Sequence, residues 1–221
     1  MQRGDVAGYL TWLTLVGSYV AVVLPLGRIR NPPASAERRP LLRPIRSARR
    51  SAPPPTVQRR TMPISSLLST DLVLPSLSAQ TKADVLNALA AHVGRAHPNV
   101  DARRLSRALY EREQQSTTAL ENGVAIPHVR LAGLAGAIAA LARTTSGIPC
   151  GAADGRPTRL FLLLVAPAEE PHGLLKLLAE AARLLSDAHC RDRLLEAGSA
   201  DELLTVLRED EERIHRALRA A

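Results

Sequence analysis

Three side chains carry the chemistry this sequence could perform: His128, His172 and Arg112. His128 ends the run Asn122-Gly123-Val124-Ala125-Ile126-Pro127-His128. Pro127 fixes its own φ near about −65° and pushes Ile126 to extended geometry, so the next side chain leaves a strand end in one direction. An imidazole held there, with one nitrogen tied in a hydrogen bond, offers a lone pair on the other and can act as a nucleophile. A plain surface-loop histidine fits the same residues. His172 follows Glu169-Glu170-Pro171 and opens a strongly amphipathic stretch. Free N–H groups and the positive dipole end of a helix bind phosphate there, and a histidine at that place can donate to a phosphoryl oxygen. A helix-capping surface histidine is the other reading. Arg112 stands in Tyr110-Glu111-Arg112-Glu113 at the end of a helical pattern. It compensates the helix dipole or, with its planar fork, holds phosphoryl oxygens bidentately.

A metal site built on His128 and His172 lacks a third or fourth ligand at ligand spacing, so neither a metal nor another cofactor is expected. The remaining histidines (92, 97, 189 and 215) have no motif around them and read as helix-surface or end-capping residues. Cys150 and Cys190 have neither disulfide-scaffold nor zinc spacing. They read as small buried apolar residues in a reducing compartment.

The elements that must position these residues begin at Met62. Ile64–Leu68 reads as a short apolar turn and Leu72–Leu77 as a strand. Residues 78–95 carry apolar side chains at helical spacing, with Ser78 as N-cap, and Asp101 caps a second helix to Arg112. Residues 116–127 read as short extended pieces around the Asn122-Gly123 turn. Ala135–Ala142 and Arg159–Ala166 read as strands; the second is continuously apolar, as in a strand buried on both faces. After a loop from Pro167 to Pro171, His172–Leu185 is an amphipathic helix. Asp187–Ala197 adds a turn or two, and Ser199-Ala200-Asp201-Glu202 reads as a capping box for a last helix. Strands interleaved with helices predict an α/β fold: a mixed parallel and antiparallel sheet with helices on both faces. Aromatic residues make up only 2% of the chain, so the core must be Leu, Ala, Val and Ile.

The net charge of +8 suggests a nucleic-acid partner until its location is read. Residues 28–61 hold ten Arg and one acid, a net +9, in an Arg/Pro-rich stretch without periodicity that cannot bury a core. Residues 62–221 are left near −1, so no basic groove for nucleic acid is expected on the folded part. Residues 6–27 contain no charge. Three readings are open for that segment: a membrane anchor with the Arg-rich stretch on the cytoplasmic side, a secretory signal, or an over-extended start with the protein beginning at Met62. The expected division is a hydrophobic segment over 1–27, a disordered linker over 28–61 and the folded domain over 62–221.

From Met62 to about residue 209 the chain resembles the EIIA domain of the bacterial phosphoenolpyruvate-dependent sugar phosphotransferase system, of the fructose/mannitol and nitrogen-regulatory type. Met62-Pro63-Ile64-Ser65-Ser66-Leu67-Leu68 is similar to its opening helix and Glu111-Arg112-Glu113 to its "ERE". Asn122 to His128 is similar to its G-[IV]-A-[ILV]-P-H signature, and His172 to Ala179 to its second-histidine motif. The chain departs from the pattern in three places. Ser116–Glu121 lacks the glycine often found there, Gly173 stands where Leu is common, and Val129 stands where a small residue is frequent. The resemblance implies that His128 is the phosphorylated histidine, His172 the auxiliary histidine and Arg112 the nearby basic residue. It implies a cytoplasmic phosphoryl carrier, fed by an HPr-type phosphocarrier protein and serving an EIIB partner or a regulated target. The alternative is a regulatory binding module that senses phosphorylation without onward sugar phosphorylation.

Overall fold

The computed structural model describes residues 63–170 and 172–220. The hydrophobic segment and the Arg-rich stretch read from the sequence lie outside the described residues. The elements are β1 (Val73–Leu77), α1 (Lys82–Ala96), α2 (Ala102–Gln115), β2 (Val124–Ala125), β3 (His128–Leu131), β4 (Ile138–Ile148), β5 (Thr158–Pro167), α3 (Gly173–Ser186), α4 (Ala188–Glu196) and α5 (Ala200–Ala220). A short 3-10 turn, Ile64–Leu67, precedes them.

β5 is the axis of the sheet. It pairs antiparallel with β4, which pairs in parallel with β1, and its other edge carries β2 and β3, both parallel to it. Val124 faces Leu160, Ala125 faces Phe161 and His128 faces Leu164. The register is unbroken across Ile126 and Pro127, so β2 and β3 are one edge strand that proline, lacking an N–H, divides. The Pro127 carbonyl still accepts from Leu164 N–H at 2.9 Å. Every residue of β5 from Leu160 onward is buried, as is the first half of β4. Consecutive strand residues point to opposite faces, so both faces are covered. The covers are the α1–α2 pair, against β4 and β3, and the α3–α5 group, against β5 and β1. This is the expected α/β fold with a mixed sheet.

Several local expectations need correction. The first helix is capped by Thr81 and not by Ser78: the Thr81 side chain accepts from Asp84 N–H while Asp84 accepts from Thr81 N–H. Asp at the third helical position closes this reciprocal box as Glu usually does. β4 begins later than Ala135 and runs on past the buried Thr144 through Thr145 and Ser146, whose polar side chains face solvent. Glu202 reaches back to Gly198 N–H instead of Ser199 N–H, so the last helix is capped by a box displaced by one residue. On α3, Leu175 is outside the buried stripe at 53% exposure.

Two buried carboxylates tie the far end together. Glu211 of α5 accepts from the N–H groups of Ile64 (2.5 Å) and Ser65 (3.1 Å) and from the Ser65 hydroxyl (2.6 Å). Asp210 accepts from Arg193 of α4 at 3.0 Å and from Arg213 at 2.8 Å.

Candidate functional site

α2 and the ribbon that follows it build the site. Asp101 starts α2 by accepting from Arg103 and Arg104 N–H, and the helix runs far enough to put Arg112 and Glu113 in its last turn. The chain then doubles back. Asn122 and Gly123 both have positive φ, 63° and 73°. They end a three-residue loop, 121–123, that joins residue 120 to Val124, and left-handed residues of this kind let so short a loop close. Asp154 holds the Asn122 N–H at 2.7 Å. Leu120 N–H donates to the Val124 carbonyl (2.8 Å) and Ile126 N–H to the Thr118 carbonyl (3.0 Å). The segment 118–120 therefore runs along the outer edge of β2 and fixes Ile126.

His128 is half-buried at the start of β3. Its Nδ1 lies 2.8 Å from the Ile126 carbonyl oxygen. A carbonyl only accepts, so Nδ1 carries the hydrogen and Nε2 keeps its lone pair. Arg112 Nη2 donates to that Nε2 at 3.2 Å, while Nη1 donates to the Ser116 carbonyl at 3.0 Å. Burial lowers the His128 pKa below its ordinary value, and the Arg112 charge lowers it further against the opposing bond to Ile126. The ring therefore favours its neutral form, with the Nε2 lone pair beside a guanidinium, an arrangement chemically able to meet an oxyanion.

His172 lies at the N-cap of α3 and is exposed, with no side-chain capping bond. Among the described residues no hydrogen bond joins it to His128. The fold links the two only indirectly: Leu164, the register neighbour of His128, lies on β5, the strand that precedes α3. The loops leaving β3 and β5 are tied by Gly133 N–H to Glu169 at 3.4 Å. Among the described residues no group of three or more His, Cys, Asp and Glu could hold a metal ion. No helix among them is long and apolar enough to cross a membrane.

Residues that sequence reading passed over hold this site in place. Glu113 accepts from Thr118 N–H (2.9 Å), the Thr118 hydroxyl (2.5 Å) and Lys82 Nζ (2.6 Å). Lys82 also donates to the Cys150 carbonyl at 2.6 Å and to the Thr117 hydroxyl at 3.0 Å. Burial alone would raise the Glu113 carboxyl, but these bonds outweigh it and hold its pKa below the usual carboxylate value. A signal was available. Lys82 is a cation at a helix start and Glu113 an anion at a helix end, each the wrong sign for the local dipole. Each needs a partner from elsewhere, and they satisfy one another.

The family description "Phosphoenolpyruvate-dependent sugar phosphotransferase system, EIIA 2" matches residues 66–210. The chain belongs to this EIIA family. Among relatives of this EIIA domain is a nitrogen regulatory protein of Bradyrhizobium diazoefficiens, 35% identical over 146 residues, covering 66% of this chain and 95% of the relative. The nitrogen regulatory protein of Pseudomonas aeruginosa is 32% identical over 144 residues, covering 65% and 94%. The crystal structure of nitrogen regulatory protein IIA-Ntr from Neisseria meningitidis superposes with a TM-score of 0.62 at 27% identity, covering 65% of this chain and 98% of that one.

Proposed function

We propose that His128 is the phosphoryl acceptor, and that it takes the group through Nε2 from a phosphohistidine on an HPr-type carrier. The observation that carries this reading is the division of the ring: Nδ1 is occupied by the Ile126 carbonyl, and Nε2 stands beside Arg112. The donor P–N bond breaks with its electron pair returning to the donor ring, and the Nε2 lone pair makes the new P–N bond. With the donor ring protonated on its other nitrogen, it departs neutral, while the cation that forms on His128 keeps its Nδ1 hydrogen against Ile126. The transition state is loose and spreads negative charge over three oxygens, so positioning and electrostatics supply most of the acceleration. In this reading Arg112, His172 and the first amides of α3 receive those oxygens. The phosphoryl group then passes to an EIIB partner or stays as a regulatory signal. A cytoplasmic location belongs to the same reading and agrees with two cysteines that are free and buried.

The test is transfer from labelled phosphoenolpyruvate through enzyme I and HPr to the wild type and to His128→Ala. Label on the wild type alone is the expected result; equal label on both sinks the reading.

The names of the relatives favour the regulatory branch, in which the phosphorylation state changes affinity for a target protein. His128→Asp is then expected to shift the affinity of the domain for that target by roughly tenfold, within the usual range of coupling between sites. Equal affinity of the wild type, its phosphorylated form and His128→Asp counts against the switch.

A further inference from the structure

We propose that Glu113, clamped by Lys82, is a positioning residue that decides which nitrogen of His128 is free to react. The two neighbours Arg112 and Glu113 serve the two sides of one ring. Arg112 reaches Nε2 directly. Glu113 reaches Nδ1 through the backbone. Its carboxylate grips Thr118 by both N–H and hydroxyl. The Thr118 carbonyl accepts Ile126 N–H at 3.0 Å, and the Ile126 carbonyl accepts Nδ1–H at 2.8 Å. Each link is a hydrogen bond of ordinary length, and each fixes the residue that makes the next one.

The clamp is built to be rigid. Glu113 has a side chain only 8% exposed, and Lys82 fills three acceptors at once: Glu113, Thr117 and the Cys150 carbonyl. Thr117 donates to that same carbonyl at 2.8 Å. The start of α1, the end of α2, the ribbon at 117–118 and the loop after β4 therefore meet at one ion pair. Without the carboxylate, Thr118 loses two donor contacts, and the ribbon no longer holds the Ile126 carbonyl against the ring. The imidazole is then free to carry its hydrogen on Nε2, the nitrogen that must attack. The role deepens the reading of His128 as acceptor and rests on it for its effect on rate.

The experiment reads the ring directly. In the full chain, ¹⁵N shifts of the His128 imidazole report which nitrogen carries the hydrogen. The wild type is expected to show Nδ1–H. Glu113→Gln and, as a milder change that removes only the hydroxyl bond, Thr118→Val are expected to move the ring toward a mixture with Nε2–H. Both are expected to slow phosphoryl acceptance by roughly tenfold or more, as small misplacements of a reacting group do. A residue that only stabilised the fold would lower the melting temperature and leave the ring shifts alone. An unchanged tautomer in Glu113→Gln and in Thr118→Val overturns the proposal. Should Glu113→Gln fail to fold, Thr118→Val alone decides between the two outcomes. The tautomer is measured without phosphorylation, so a wild type that shows Nδ1–H but takes no label would strike the acceptor reading and leave this one standing.

Discussion

Arg112 Nη2 stands 3.2 Å from Nε2 of His128, and the same guanidinium reaches back to the Ser116 carbonyl. One hand of the fork is braced while the other faces the nitrogen that the Ile126 bond leaves open. Removing it as Arg112→Leu is expected to slow phosphoryl acceptance roughly a hundredfold, as loss of one donor to a developing oxyanion does. Arg112→Lys keeps the charge but not the fork, and should fall between the two. Single-turnover transfer from phosphorylated HPr measures both; a lysine variant equal to wild type would show that the fork geometry is unused.

Below neutral pH His128 should stay uncharged longer than an ordinary histidine. Burial, and then the Arg112 charge, lower its pKa from the ordinary 6.5. The unfolded chain takes up this proton first, so the stability linked to the group is complete above pH 6.5 and declines as pH falls through the folded value. An NMR titration is expected to place the midpoint below 6.5. In Arg112→Leu it should rise only part of the way, because burial is the larger cause and persists. A wild-type midpoint at or above 6.5 contradicts the account.

The clasp between Glu211 and the opening turn predicts a stability effect remote from the site. Glu211→Ala leaves the N–H groups of Ile64 and Ser65 without their acceptor, and Ile64 is fully buried. Charged hydrogen bonds of this kind are worth about 1.5–3 kcal/mol each to remove, with partial overlap here. A loss of about 2–4 kcal/mol in urea unfolding is expected, with Glu211→Gln milder. A loss under about 0.5 kcal/mol would mean that water replaces the clasp at no cost.

Gly94 tests packing against propensity. In an exposed helix, Gly→Ala stabilises by about 0.8–1 kcal/mol. Here a Cβ on Gly94 would lie 2.7 Å from the Cβ of Ala102, where α1 passes the start of α2. Overpacking of that sort costs about 1–3 kcal/mol. Thermal unfolding should show Gly94→Ala to be destabilised; a raised melting temperature would mean the two helices separate freely.

Much of this fold could be read from the chain because its strongest signals are local. Leu160 to Ala166 is apolar without a break, and it forms the strand buried on both faces. Asp101 and the Asn122-Gly123 pair act at their own positions, as cap and turn. The errors arose where two local signals competed. Ser78 and Thr81 are both good caps, and the acid three residues on, Asp84, selects Thr81. His128 was readable because proline and strand constrain it locally. Its Nδ1 partner was not, since a backbone carbonyl leaves no trace in residue type. The Lys82–Glu113 pair joins residues 31 positions apart, and only their misfit with the helix dipoles pointed to it.

Apart from the Lys82 clamp, the bonds that hold the imidazole span very little chain. Arg112 to His128 covers 16 positions, Glu113 to Thr118 five, and His128 to Ile126 two. Loops near ten residues close in roughly 10–100 ns. A partner at micromolar concentration, associating at about 10⁵–10⁷ M⁻¹s⁻¹, arrives only about 0.1–10 times per second. Any transient opening of the ribbon is therefore repaired many times over between visits. If His128 is the acceptor proposed above, each arriving partner would meet the ring already set, with no encounter lost to its reassembly.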